Sequence, residues 1–244
     1  MLVKQVKHWL VTRANAARWR PIQEWAEARG GRFTLSRDGE GFLIEQPDAP
    51  AGALRVEWGV SQRNYLPGTE LRMRCEVGVH PDLQTMVLCR SLMEELERVV
   101  FEAYTDTLKT RVDMDTPEEM RWLVMFPKFT NAASALVRQR YGVLGVTKEV
   151  TGSWIDGELS DALTQASVDP LPEGHPFVLM CMRGNVYLRT QMTEADQSKV
   201  QALVRLLEAA AHASMRVSGR LGDSGAWPTT TSFAWMPSSR PGDL

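Results

Sequence analysis

The segment Leu54 to Cys75, LRVEWGVSQRNYLPGTELRMRC, constrains the fold more than any other. Successive side chains of a strand point to opposite faces. Leu54, Val56 and Trp58 therefore share an apolar face with Leu71, Met73 and Cys75, and Arg55, Glu57, Arg72, Arg74 and Glu76 share the other. Two such strands joined by the polar loop Val60 to Thr69 predict an antiparallel pair with one face buried and one in water. On the wet face arginine meets glutamate, a ladder in which each exposed pair contributes about 0.2–1 kcal/mol.

The same reading extends along the chain. Residues 1–28 are expected to be helical in two pieces, broken near Pro21 and closed by Gly30-Gly31. Short alternating runs at Arg32–Ser36, Gly41–Gln46, Ala53–Gly59 and Glu70–Val77 predict four strands, with Asp38-Gly39 as a turn. Leu88, Leu92, Leu96, Val99 and Ala103 recur at helical spacing and predict a helix from Asp82 to Tyr104. Thr116-Pro117-Glu118-Glu119 has the form of a capped helix start, feeding an apolar run Trp122–Phe126 that reads as a buried strand. A helix over Asn131–Arg140, a strand over Gly142–Thr147 and a helix over Trp154–Ala166 should follow. A hairpin over Phe177–Met182 and Val186–Met192 and a last helix from Glu194 to Val217 complete the ordered elements. Leu71–Cys75 leading to Leu88–Leu92 is echoed by Leu188–Met192 leading to Leu203–Leu207.

These elements predict an α+β fold of two related units, each a small, mainly antiparallel sheet under a long helix. The expected divisions are an amphipathic helix at 1–20, units at 21–115 and 116–217, and an irregular tail at 218–244 that carries Trp227, Phe233 and Trp235. Aromatics in a Gly- and Pro-rich tail point to docking, on the body or on another subunit.

Charge narrows the function classes. Residues 1–74 hold 12 Lys/Arg against 8 Asp/Glu and residues 75–120 hold 4 against 11, so the two segments are expected to neutralise each other in the fold. A pI near 6.1 argues against a nucleic-acid binder. Cys75, Cys89 and Cys181 show no metal-ligand spacing and read as buried thiols of a cytoplasmic protein. His8, His80, His175 and His212 are scattered, and no GxSxG, GxxxxGK[ST] or GxGxxG is present, so neither metal nor cofactor is expected and catalysis is not favoured.

The candidate binding residues are Arg63 and Tyr65 of the loop, Arg72 and Arg74 of the strand, and Trp227 and Trp235 of the tail. The leading expectation is a non-catalytic interaction protein, an adaptor or chaperone-like module that binds a protein partner or itself through the arginine-rich face or the tail. The alternative is a small anionic ligand gripped by Arg63, Tyr65, Arg72 and Arg74. A third reading lays the basic helix 1–20 on an anionic membrane surface, and it ranks behind a helix packed on its own domain.

Two segments, EWGVSQRNYLPGTELRMR at 57–74 and TPEEMRWLVMFPK at 116–128, resemble an uncharacterised family of bacterial cytoplasmic proteins of about this length. The resemblance covers roughly residues 18–215 and implies no activity or functional residues. The order helix, strands, helix is also similar to secretion-chaperone-like and TATA-binding-like units, an analogy of fold alone.

Overall fold

The computed structural model of the chain describes residues 17–36, 39–106, 116–129 and 134–224. Most of the helix expected over 1–20, and the tail residues Trp227, Phe233 and Trp235, lie outside the described residues. A helix over 17–28 (α1) runs through Pro21 without the expected break, at the expense of one ladder donor. Gly30, at φ 77°, ends it in the left-handed conformation that glycine favours, with the Gly31 amide donating back to Ala26 at 2.8 Å.

A meander follows, of β1 (Arg32–Leu35), β2 (Phe42–Gln46), β3 (Ala53–Val60) and β4 (Thr69–Glu76). Next come β5 (Thr85–Cys89), α2 (Arg90–Asp106), α3 (Glu118–Met125), α4 (Ala135–Arg140), β6 (Tyr141–Gly145), α5 (Lys148–Ile155) and α6 (Glu158–Ala166). The hairpin β7 (Phe177–Met182) and β8 (Asn185–Gln191), and α7 (Gln197–Ser224), close the chain. The α+β class is as expected, and all eight strands form one antiparallel sheet in the order β1-β2-β3-β4-β8-β7-β5-β6.

The two-unit repeat is not confirmed. The sheet is continuous where β4 pairs β8, with Arg72 opposite Arg189, and β5 lies between β7 and β6 although it precedes both in sequence. The expected division at 115/116 falls between α2 and α3, within the span of that sheet.

Burial shows how the sheet is covered. β5, β6 and nearly all of β7 are buried at every position, as strands packed on both faces must be, whereas β3 and β8 alternate. One face carries Phe42, Ile44, Val56, Trp58, Leu71, Met73, Leu188 and Leu179, all buried. Over it pack α1, through Trp19 on Phe42 and Trp58 at 5.4 and 5.0 Å, and α7, through Val200, Leu203, Val204, Leu207 and Ala211. Trp154 of α5 is fully buried beside α7 and donates its indole N–H to Ser214 at 2.9 Å. On the opposite face α2 and α3 pack on the β5–β6 side, with the start of α3 also meeting the β3–β4 loop and the β7–β8 turn, and no helix packs extensively on the polar face of β2, β3 and β4 among the described residues.

Four expectations fail for local reasons. The helix expected from Asp82 begins at Arg90, because Thr85–Cys89 is strand β5; Leu88 and Leu92 stand four apart across a strand-to-helix junction and imitate a single helix. Trp122–Phe126 is not a strand: α3 buries Trp122 and Leu123 and leaves Val124 and Met125 about half exposed, a one-sided burial that a buried strand would not show. The helix expected over Trp154–Ala166 is two helices separated at Gly157, whose φ of 66° a continuous helix cannot hold. Residues 218–224 are helical rather than irregular, since Leu221 packs on the core and extends α7 past Gly219 and Gly222.

Candidate functional site

The β3–β4 loop is held by α3. Arg63 Nε donates to Glu119 Oε1 at 2.5 Å, and the Tyr65 hydroxyl donates to the same oxygen. Glu119 is 2% exposed, so both donors are spent on a carboxylate removed from water. Burial raises the Tyr65 phenol far above its ordinary value and Glu119 raises it further, which keeps Tyr65 protonated as a donor. Burial alone would lower the Arg63 guanidinium, but the charge of Glu119 outweighs it and raises the value. The neighbouring Glu118 takes Arg121 and Arg183, both at 2.8 Å, so the start of α3 also touches the β7–β8 turn. The cap expected from Thr116 is absent: Pro117 occupies the cap position, no side chain caps the helix, and Glu119 serves the loop instead.

Arg72 belongs to a second cluster. It donates through Nε to Glu57 and through Nη1 to Glu70 at 3.1 Å, while Arg189 of β8 reaches the same Glu70 oxygen at 2.9 Å. Glu70 is fully buried, and its other oxygen meets the Ser61 hydroxyl at 3.4 Å. Arg55 bonds Glu57 at 2.6 Å and Glu45 at 3.0 Å, and Arg32 reaches Glu45 at 3.3 Å, so the rank runs across β1, β2, β3, β4 and β8. Burial would raise the Glu57 carboxyl, but hydrogen bonds from Arg72 and Arg55 hold it below the usual carboxylate range.

Arg74 stands apart. Its partner is Glu76, and its side chain is 44% exposed. In register it lies between Arg55 on β3 and Tyr187 on β8. The structure thus brings Arg63 and Tyr65 together, links them to Arg72 through Ser61 and Glu70, and leaves Arg74 in a separate row; Trp227 and Trp235 lie outside the described residues. Sequence reasoning missed Glu119, Glu70 and Arg189 as members. Their only signal was placement, Glu70 and Arg189 on the polar faces of strands and Glu119 in a helix start that imitates a cap.

The remaining chemistry is sparse. Cys75, Cys89 and Cys181 are free and buried, and burial pushes the Cys75 and Cys181 thiols up to about 11 and about 12. A thiol reagent at mildly alkaline pH should leave all three unmodified until denaturant is added; rapid modification of the native chain would contradict their burial. Among the described residues no group of three His, Cys, Asp or Glu side chains could hold a metal, and no helix is long and apolar enough to cross a membrane.

His175 Nε2 lies 2.8 Å from the Gln191 carbonyl, an acceptor, so that nitrogen carries hydrogen. Burial lowers its pKa from 6.5. The unfolded chain therefore binds a proton that the folded chain resists, and stability should fall as pH drops below about 6.5. His175→Gln is expected to flatten that part of a urea-midpoint profile across pH 5–7.5, and an unchanged profile would show that other groups dominate.

No family model matches the chain, and no curated protein or solved structure matches it.

Proposed function

We propose that the chain is a non-catalytic interaction protein that binds a protein partner on the polar face of β2, β3 and β4, together with the partly buried Tyr187 of the adjoining β8. The observation that carries this reading is the lateral row Arg55, Arg74 and Tyr187, aligned in register on a rigid sheet, with both arginine side chains more than two-fifths exposed. Arginine and tyrosine are the residue types that anchor interfaces, and a sheet holds them without the entropy cost of ordering a loop. A partner surface with acidic and apolar side chains would complement them.

The anion reading at Arg63, Tyr65, Arg72 and Arg74 is less well supported. Arg63, Tyr65 and Arg72 already direct donors to Glu119, Glu57 and Glu70, and a ligand would have to displace these carboxylates, of which Glu119 and Glu70 are buried.

The test is a pull-down with the full chain, Arg74→Ser/Tyr187→Ser, and a chain ending at Ser224. A partner retained by the full chain and by the truncated one, but at least about tenfold depleted by the double substitution, is the expected outcome; tenfold corresponds to about 1.4 kcal/mol. Equal retention by the substituted chain, or nothing specific retained by the intact chain, overturns the proposal. Retention lost only on truncation would assign binding to the tail with Trp227 and Trp235.

A further inference from the structure

A cleft of about 670 Å³ lies where β1, β2 and β3 end beside α1, with Arg18, Trp19, Leu35, Trp58, Gly59 and Thr69 in its lining. Sites for small molecules commonly measure about 300–1,000 Å³. Two features of the lining point to a ligand.

The first is Arg18. Its guanidinium lies over the Trp19 ring at 4.6 Å and toward the Trp58 ring at 5.8 Å. That stacking uses the face of the cation, whereas its N–H donors lie in the plane. Among the described residues those donors make no ion pair and no hydrogen bond, unlike Arg55, Arg63, Arg72, Arg74 and Arg189 on the adjoining sheet. The ring stack thus holds a guanidinium in place with its fork unspent, the geometry that receives a carboxylate.

The second is Gly59. It sits within an eight-residue strand in regular register with Glu70, so no bulge requires it, and a Cβ there would meet nothing within 4 Å. Glycine weakens a strand, and inside one it often marks a bulge or the close approach of a ligand or another backbone; Gly41 passes near the Gly59 Cα, while the side where its Cβ would stand is open.

We propose that this cleft binds a small organic carboxylate with a flat apolar body, its carboxylate held by Arg18 and its body lying over the Gly59 backbone. Glu40 and Glu57 also line the cleft, which favours a single negative charge over a phosphate dianion. Arg18 counts in the sequence only as one member of a basic N-terminal stretch; its place over two indoles is what distinguishes it.

Benzoate is the probe. In the full-length, nitrogen-15-labelled chain, whose eight tryptophans each give an indole resonance, benzoate should shift the Trp19 and Trp58 signals saturably in the range of about 1–10 mM, as suits a ligand of its size. Benzamide, the neutral isostere, and inorganic phosphate should bind at least fivefold more weakly. Arg18→Gln should weaken benzoate at least fivefold with the fold unchanged. Gly59→Leu should fill the cleft and abolish the shifts without lowering the melting temperature, because the added carbon has room. No saturable shift with benzoate, equal binding of benzamide or phosphate, or undiminished binding by either variant overturns the proposal. Gly59 shares the polar face of β3 with Arg55, whereas Arg18→Gln leaves that face untouched, so the Arg18→Gln result is independent of the partner-binding test.

Discussion

Replacing Glu70 with leucine should cost about 3–5 kcal/mol, the range expected when a buried ion pair loses one member. Glu70 is fully buried and is the shared acceptor for Arg72 and Arg189, which face each other across β4 and β8. Without it Arg72 keeps Glu57, but Arg189 loses its carboxylate, and two guanidinium groups stand directly opposite in a cross-strand pair. The damage falls at the one place where the four-strand meander joins the remaining strands. At about 2–4 °C per kcal/mol for a chain of this length, the melting temperature should drop by about 10 °C. Urea denaturation checks the size, and adding Arg189→Leu should restore part of the loss by removing the stranded charge. A loss below about 1 kcal/mol would mean that water reaches the cluster and that it contributes no more than a surface pair.

Glu119→Gln should cost about 2–4 kcal/mol by a different route. The amide keeps the shape but gives Arg63 no charge to meet, and the Tyr65 hydroxyl loses its strong acceptor. Because Glu119 helps to raise the Tyr65 phenol, that tyrosine should ionise at lower pH in the variant, which absorbance of the tyrosinate reads directly. Amide exchange should quicken in α3 and in the loop before the rest of the sheet responds. Arg63→Ala tests the same pair from the other side. It leaves a carboxylate 2% exposed with Tyr65 as its remaining charge-stabilising donor, so it should destabilise the chain at least as much as Glu119→Gln does.

Much of the first half was legible because its strands have one wet face. The alternation of β2, β3 and β4 survives in the sequence as a period of two, and α7 declares itself through Val200, Leu203, Val204, Leu207 and Ala211. β5 was not legible for the opposite reason: TMVLC is buried on both faces and carries no period to read. α3 misled because WLVMF is apolar on sides that do not all face the core. The arginines of the candidate site were visible, but their partners were not. Arg63 and Glu119 are 56 residues apart, and Arg189 and Glu70 are 119 apart, separations at which one sequence carries no pairing signal.

The placing of β5 between β7 and β6 bears on how the chain can be made. Emerging from the ribosome, the segment Thr85–Cys89 is complete before either of its neighbours exists, and it must wait for residues 141–145 and 177–182. For that interval an apolar strand has both edges unpaired and both faces uncovered. The meander ahead of it can form at once, since its strands pair in sequence order. Synthesis should therefore pass through a half-built state in which the early sheet exists while β5 remains sticky, and nascent chains halted before residue 141 are the ones expected to recruit a holding chaperone.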